Sequence, residues 1–245
     1  MSPRPAWYAP EWPRPAGVRA AVTTRIGGVS QGPFAALNLA DHVGDDPAAV
    51  AANRRSLVDA LGLPGEPAWL EQVHGVAVAD AAAGSGQQAD ASVATAPGAV
   101  CAVLTADCLP VLLARSDGTA VAAAHAGWKG LAGGVLEAAV ARLGPGRITA
   151  WLGPAIGPGA FEVGDEVRAA FVDPDPGAAA CFHYRHGSLH ADLYALARRR
   201  LFVAGVAAVH GGGRCTFTES ERFYSYRRDG RTGRMATLVW REGGE

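Results

Sequence analysis

The chain has 245 residues, of which 49% are hydrophobic and 18% charged, and its formal net charge is -1. No basic block is present that would hold a nucleic-acid backbone, and no apolar run reaches the roughly eighteen residues of a membrane span. We therefore expect a soluble protein with a small-molecule partner. The length and the lack of a linker predict one domain over residues 1–245.

The N-terminal segment is rich in proline. Prolines within residues 1–16 interrupt the continuous apolar region that a secretory signal requires, so we predict a surface arm and a cytoplasmic protein. Four widely spaced cysteines are expected to stay reduced there, and they are Cys101, Cys108, Cys181 and Cys215.

The first half of the chain begins with a strand and a helix. Residues 17–25 are β-branched and small, which predicts a strand that ends in a Gly-Gly loop. Residues 45–63 predict a helix with Asp46 as its N-cap, because the aspartate can accept hydrogen bonds from the first free N–H groups. Pro47 suits the first helical position, and Gly62 predicts the stop.

The middle of the chain is strongly apolar. Residues 68–81 predict a strand carrying His74. Residues 98–128 predict two strands joined in a hairpin at the turn residues 116–118. Residues 130–144 have apolar residues at helical spacing and predict the helix that follows.

The last third mixes both element types. Residues 147–153 predict a short strand, and residues 165–172 and 192–206 predict helices. Residues 221–242 predict strand-like segments around a turn at Asp229 and Gly230. The order of strands and helices is irregular, which differs from a steady βαβ alternation.

Three residues carry metal-binding chemistry at the ends of apolar segments. His74, Cys108 and His125 offer two imidazoles and a thiolate, and three such ligands with one open position are typical of a catalytic zinc site. Their spacing matches no compact zinc motif, so a hydrogen-bonded core role is the simpler alternative. A second alternative makes Cys108 a nucleophile that His125 activates.

Four charged residues are further candidates. Asp107 must be paired or hydrogen-bonded within its apolar surroundings, so it is a candidate catalytic or supporting group beside the cysteine. Arg25 can present its planar guanidinium to a phosphate, and Lys129, the only lysine, can bind an anion or cover the following helix. Glu162 is a candidate general acid or base, against a plain exposed glutamate.

The chain resembles the laccase-domain proteins, also called the multicopper polyphenol oxidase or peptidoglycan editing factor family, over nearly its full length. The resemblance rests on ordered motifs, which are "TTRIGGVSQGPFAALNLADHVGDDPAAVAANR", "EQVHG", "ADASVAT", "VLTADCLPVLLA", "AAHAGWKGLAGGVLEAAV", "GPAIGPGAFEVG" and "FYSYRRDGRTGRMATLVW".

This resemblance implies a fold and an activity. The expected fold is α/β of the α+β type, a single-domain layered sandwich with mixed β-sheets flanked by helices. The expected enzyme is a purine nucleoside phosphorylase acting on adenosine, inosine, guanosine and methylthioadenosine, with adenosine deaminase activity. The motif of the well-known zinc nucleobase deaminases is absent, so deamination would need another site architecture.

The resemblance also assigns residues. It places the zinc ligands on His74, Cys108 and His125, and it places Arg25 and Asn38 in the same pocket, where we expect them to bind phosphate or sugar. Catalytic roles are predicted for Cys108, for Asp107 beside it and for Arg25, and Lys129 is a further substrate-binding candidate. The expected ligands are a purine nucleoside and phosphate.

Two other enzyme functions remain open. A copper-dependent polyphenol oxidase would use the same three ligands with copper, although a blue-copper site also needs a weak axial ligand and the only methionines are Met1 and Met235. An amidase that edits peptidoglycan precursors would use the same metal or the Cys108 thiolate. The sequence leaves the oligomeric state open.

Overall fold

The fold is a mixed α/β sandwich. A computed structural model describes residues 4–243. The strands are β1 (Trp7–Tyr8), β2 (Val18–Thr23), β3 (Val78–Asp80), β4 (Ala91–Ala94), β5 (Val100–Thr105), β6 (Leu109–Arg115), β7 (Val121–Ala126), β8 (Ile148–Leu152), β9 (Phe182–Arg185), β10 (Ser188–Ala191), β11 (Ala208–Gly211) and β12 (Met235–Arg241). The helices are α1 (Pro47–Leu61), α2 (Trp128–Gly133), α3 (Val135–Leu143), α4 (Asp165–Val172), α5 (Leu193–Val203) and α6 (Tyr226–Asp229).

The strands form two large sheets and one hairpin. One sheet has the order β1-β2-β12-β5, and the other has the order β11-β8-β6-β7-β4-β3. The six-stranded sheet is mixed, because β11 runs parallel to β8 and β3 parallel to β4 while its other neighbours are antiparallel. β9 and β10 form a separate two-stranded hairpin, and His190 of β10 also makes an isolated antiparallel bridge with Glu162.

Successive side chains of each strand face opposite sides of its sheet, and this alternation shows how the layers are stacked. In β5, Val103 faces the cluster between the two sheets, whereas its neighbour Ala102 faces the opposite side with Leu57 of α1. In β6, Leu112 faces the space between the sheets and Leu113 faces the cluster that holds α3 and α5. The layers are therefore α1, the four-stranded sheet, the six-stranded sheet, and α3 with α5, as predicted.

The helix predicted at residues 45–63 is confirmed. Asp46 caps it by accepting a hydrogen bond from the backbone N–H of Ala48 at 2.9 Å, and Pro47 occupies the first position. Gly62 ends the helix in the left-handed conformation at φ 58°, which costs glycine little.

No helix within residues 4–243 combines the length and the hydropathy needed to cross a bilayer.

The N-terminal segment packs more closely than a surface arm would. β1 pairs with β2, and Trp12 is only 6% exposed because it lies in the cluster between the sheets. Its indole Nε1 donates to Thr149 Oγ1 of β8 at 3.2 Å. Residues 1–3 of the predicted arm lie outside the described residues.

Several predicted elements differ from the structure. The strand predicted at 68–81 is a loop around His74, and only Val78–Asp80 forms a strand. The two strands predicted at 98–128 are three, because the chain leaves β5 in one sheet and enters β6 in the other. Gly134, at φ 103°, divides the predicted helix at 130–144 into α2 and α3.

The C-terminal segment also departs from its prediction. Tyr226–Asp229, predicted within a strand-like segment, forms the short helix α6. Ser225 caps this helix by accepting a hydrogen bond from the backbone N–H of Arg228. Only β12 of this segment is a strand, and it lies in the centre of its sheet.

Candidate metal centre and its cavity

Cys108 and His125 meet because of the β6–β7 hairpin. His125 lies in β7 opposite Pro110 of β6, so Cys108, which immediately precedes β6, comes next to it. The imidazole of His125 is 3% exposed, whereas Cys108 is partly accessible. The hairpin predicted from the turn residues thus brings together two of the three predicted ligands.

His74 reaches the same place from a loop. Its backbone has a positive φ of 60°, which is uncommon for a residue with a side chain. Its ring lies edge-on to that of His125, with centroids 4.8 Å apart. The ligand atoms of His74, Cys108 and His125 all lie within 4.8 Å of one another, which makes them the one such group of metal-ligating side chains found among residues 4–243.

Asp90 fixes both histidines, and sequence reasoning did not single it out. Its buried carboxylate accepts hydrogen bonds from the backbone N–H groups of Val73, His74 and Gly75 at 3.2, 2.9 and 2.6 Å. It also lies 2.8 Å from Nδ1 of His125. If Nδ1 carries the proton, Nε2 is free to bind a metal, which is the usual outer support of a histidine ligand.

The available signal for Asp90 was its motif. The stretch "ADASVAT" contains an aspartate at the start of an apolar strand, where a buried carboxylate must be hydrogen-bonded. Nothing in the local pattern shows that its partners lie 16 residues earlier, at His74, and 35 residues later, at His125.

The charges of the centre shift its pKa values. Burial lowers the pKa of His125, but the charge of Cys108 and the hydrogen bond to Asp90 outweigh it and raise the pKa to about 9. Burial and the neighbouring His125 lower the pKa of His74, so this ring is neutral at pH 7. Burial would raise the pKa of Asp90, but hydrogen bonds from His125 and Gly75 lower it, so the carboxylate is ionised.

Gly127 leaves the room that the ligands need. A Cβ atom at this position would lie 2.7 Å from Nδ1 of His74 and 3.1 Å from Sγ of Cys108. At Gly130, one turn into α2, a Cβ would lie 2.9 Å from the carbonyl oxygen of Gly75. The loop of His74 therefore packs directly on the first turn of α2, at two positions that carry no side chain.

Asp107 holds the surrounding loops together. Its carboxylate accepts from Thr216 Oγ1 at 2.6 Å, from Ser225 Oγ at 3.0 Å and from the backbone N–H of Arg227 at 2.6 Å. Its φ of 93° turns the chain between β5 and β6, immediately before Cys108. These contacts make it a positioning group for Cys108 and for the loops at 216 and 225–227.

The three ligands line one cavity of about 510 Å³. This metal cavity has walls from both sheets and from the loops between elements, and the lining residues are His42, Gln72, His74, Leu104, Thr105, Ala106, Asp107, Cys108, His125, Ile156, Phe161, Tyr226, Arg227 and Arg234. Arg234 is half-buried, and its Nη1 donates to the carbonyl oxygens of Thr232 and Gly233 at 2.8 and 3.0 Å. Burial lowers the pKa of Arg234, and the charges of Cys108 and Asp107 act in the opposite direction.

Arg25 and Asn38 do not line this cavity. The guanidinium of Arg25 donates to the carbonyl oxygens of Ala35 and Ser220 and lies 4.8 Å from the ring centre of Tyr224. Asn38 is fully buried, and its amide group makes four hydrogen bonds, so no donor or acceptor is left for a substrate.

Lys129 and Glu162 also lie outside it. Lys129 is exposed on α2, and its Nζ lies 5.7 Å from the ring centre of Trp128. Glu162 is exposed, and its backbone oxygen accepts from the guanidinium of Arg227 at 2.9 Å. The sequence did not single out Arg227 or Arg234, and their only signal was the arginine-rich motif "FYSYRRDGRTGRMATLVW".

The donor set fits a metal ion. One thiolate and two imidazoles, converging within 4.8 Å, provide the three protein ligands of an open zinc site, and Asp90 supplies the outer hydrogen bond. The same soft ligands also suit copper, so the donor set leaves the identity of the metal open.

Comparison with known proteins decides the family. The family model described as multi-copper polyphenol oxidoreductase laccase matches residues 19–242. The chain belongs to this family. A Pseudomonas aeruginosa relative named purine nucleoside phosphorylase is 58% identical over 96% of this chain and 98% of its own length. The Escherichia coli purine nucleoside phosphorylase YfiH is 55% identical over 94% and 97%.

Solved structures of the family share the fold. A Neisseria meningitidis protein is 51% identical and superposes with a TM-score of 0.92 over 97% of this chain and 99% of its own. YlmD from Geobacillus stearothermophilus is 33% identical, with a TM-score of 0.89 over 97% and 96%. The resemblance stated from the sequence motifs is confirmed.

Proposed function

We propose that this chain is a zinc-dependent purine nucleoside phosphorylase of the cytoplasm that accepts adenosine, inosine, guanosine and methylthioadenosine and also deaminates adenosine. The observation that carries the proposal is the metal cavity itself, which combines the ligand triad with the guanidinium of Arg234. Its volume of about 510 Å³ is in the range of small-molecule sites. The names of the relatives support the same activity.

Arg234 takes the phosphate-binding role that sequence reasoning gave to Arg25. Phosphorolysis needs an anion held beside the anomeric carbon, and a guanidinium offers paired N–H donors to phosphate oxygens. The two carbonyl contacts of Arg234 Nη1 orient that group, and partial burial strengthens its attraction for an anion. Asn38 supports it indirectly, because its Oδ1 accepts from the Arg234 backbone N–H at 3.0 Å.

The remaining residues position groups or carry protons. A zinc ion on the triad would supply Lewis-acid polarisation of the substrate atom beside it. Cys108 serves as a ligand, and Asp107 keeps it in place through the loops that it joins. His42 lines the cavity with an imidazole that can exchange a proton with substrate.

The test is a pair of assays on metal-loaded protein. Inosine with phosphate should release hypoxanthine, and omission of phosphate should stop the reaction. Adenosine without phosphate should give inosine, and its absence would remove deamination from the proposal. Complete zinc loading with no base released from any of the four nucleosides would refute the proposal.

Variants of Arg234 test its assigned role. Arg234→Ala should raise the KM for phosphate by about tenfold or more, since a charge-assisted contact is lost, and Arg234→Lys should recover part of it. Arg142→Ala is a matched control, because Arg142 is exposed on α3 and lines neither the metal cavity nor its surroundings. An unchanged KM for phosphate in Arg234→Ala would remove this residue from the phosphate site.

A copper-dependent polyphenol oxidase is the second candidate, and the description of the matching family model favours it. Within residues 4–243 the ligands form one cluster of three, whereas a multicopper site needs several. The sulfur of Met235 accepts from the backbone N–H of Tyr224 in the core and does not line the cavity. Oxygen uptake with a phenol, present with copper and absent with zinc, would establish the oxidase.

A further inference from the structure

A second cavity lies beside the metal cavity and has a volume of about 1080 Å³. It is formed by the loops that follow β8 and β11, two parallel strands in which Leu152 pairs with Gly211 at the last position of each strand. In open α/β sheets, ligands bind at the carboxyl ends of adjacent parallel strands. The topology therefore places this cavity, which we call the arginine cavity, where a ligand is expected.

The lining of the arginine cavity carries an excess of positive charge. Its charged residues are four arginines and two acids, namely Arg185, Arg198, Arg214, Arg227, Glu162 and Asp192. Asp192 Oδ1 accepts a hydrogen bond from the backbone of α5, and the side chain of Glu162 is exposed to solvent, which weakens its effect on the cavity. A cavity with this balance favours an anionic ligand.

Two of the arginines serve the structure. Arg198 donates to the carbonyl oxygens of Val209 and Gly211 at 2.8 and 2.7 Å. Arg214 forms an ion pair with Glu219 at 2.8 Å. Their charges remain near the cavity, but their donors are partly used.

Arg185 and Arg227 are the groups available for a ligand, because within residues 4–243 the guanidinium of Arg227 makes hydrogen bonds only through Nη1, which donates to the carbonyl oxygen of Glu162. Arg185, at the end of β9, makes no ion pair within residues 4–243 and lies against the loop at Gly159, where a Cβ would come within 2.9 Å of its Nη1. Arg227 lines both cavities and forms their shared wall. The two guanidinium groups come from separate parts of the chain to one cavity.

A run of three glycines also lines the arginine cavity. Gly211, Gly212 and Gly213 have φ values of 71°, 85° and 87°, a conformation that residues with side chains rarely adopt. A Cβ at Gly213 would meet no atom within 4 Å, so the backbone there is open to the cavity. The N–H of Gly212 donates to the carbonyl oxygen of Leu152 at 2.8 Å, so the part of the run that can approach a phosphate oxygen is the backbone at Gly213.

We propose that the arginine cavity binds the phosphate group of a phosphorylated small molecule, held by Arg185, Arg227 and the backbone at Gly213. The site is separate from the metal triad and does not depend on the function proposed for it. The volume admits a ligand of nucleotide size. Through Arg227, an occupied arginine cavity would contact the wall of the metal cavity.

The test measures binding by calorimetry on metal-loaded protein in phosphate-free buffer. Ribose 5-phosphate is the probe, because it offers no base to release or deaminate, and ribose is the neutral control. Arg185→Ala should weaken binding of ribose 5-phosphate by about tenfold or more, because an exposed arginine can be removed without unfolding the chain. Arg142→Ala should leave it unchanged.

Inorganic phosphate identifies the source of the recognised group. If inorganic phosphate displaces ribose 5-phosphate at similar affinity, the phosphate group alone is recognised. If it displaces ribose 5-phosphate more weakly, the sugar adds contacts. Either result supports the site. The proposal is overturned if ribose 5-phosphate binds no better than ribose. It is equally overturned if Arg185→Ala binds ribose 5-phosphate as tightly as the unmodified chain, because the ligand would then lie outside the arginine cavity.

Discussion

Replacement of Asp90 by asparagine should weaken metal binding and lower the free energy of unfolding. The carboxylate accepts from four N–H groups, those of Val73, His74 and Gly75 in the backbone and Nδ1 of His125. An asparagine offers one oxygen in place of two. Its NH₂ group would face N–H donors whichever way the amide is turned.

The magnitude follows from this count. Oδ1 serves His74 and His125, and Oδ2 serves Val73 and Gly75, so either orientation leaves two donors without an acceptor. At about 1–3 kcal/mol for each unsatisfied buried group, the free energy of unfolding should fall by about 2–6 kcal/mol. Loss of the outer hydrogen bond to a ligating histidine should also weaken metal binding by about 10–100-fold.

The assay is a zinc competition titration together with thermal unfolding in the presence and absence of metal. Asp80→Asn is the matched control, since Asp80 is an exposed aspartate that caps a 3₁₀ turn and asparagine caps equally well. If Asp90→Asn binds zinc within about threefold of the unmodified chain and unfolds at the same temperature, Asp90 does not organise the centre.

Three further changes test the same geometry. Gly127→Ala should abolish metal binding in a chain that still folds, because its Cβ would lie 2.7 Å from Nδ1 of His74, and metal analysis measures this. Asp107→Ala should lower the free energy of unfolding by about 3 kcal/mol or more, since three donors lose a buried acceptor, and an unchanged melting temperature would contradict that. In metal-stripped protein, iodoacetamide should alkylate Cys108, and zinc should protect it. Burial raises the pKa of Cys101 to about 12, so mass spectrometry should find that thiol unmodified in both states.

Features set by local physics were predictable. The helix α1 follows from a capping aspartate, a proline in the first turn and a glycine at the stop, all visible within one segment. The β6–β7 hairpin follows from apolar runs on either side of a turn centred on Asp117 and Gly118. That hairpin alone predicts the contact between Cys108 and His125, which is two thirds of the ligand triad.

Features set by distant partners were not predictable. The loop at His74 resembles a strand in sequence, but three backbone N–H groups turn towards Asp90 and hold it in a non-extended conformation. Arg25 and Asn38 sit in family motifs, yet their side chains bind backbone groups of neighbouring loops. A motif marks a position but does not distinguish a residue that contacts substrate from one that holds a loop.

The arrangement of Cys108, His125 and Asp90 also resembles a thiolate, imidazole and carboxylate triad of a cysteine hydrolase. His74 decides between the two interpretations. Hydrolysis by a Cys-His-Asp triad does not require a second imidazole near the thiolate. An open zinc site, in contrast, requires a third donor atom. The chain holds His74 at a positive φ, at a cost of about 1 kcal/mol or more, and Asp90 accepts three hydrogen bonds from the backbone of the His74 loop. Strain maintained to bring a third ligand atom to the same point favours the metal centre, in which Cys108 is a ligand and not the attacking group.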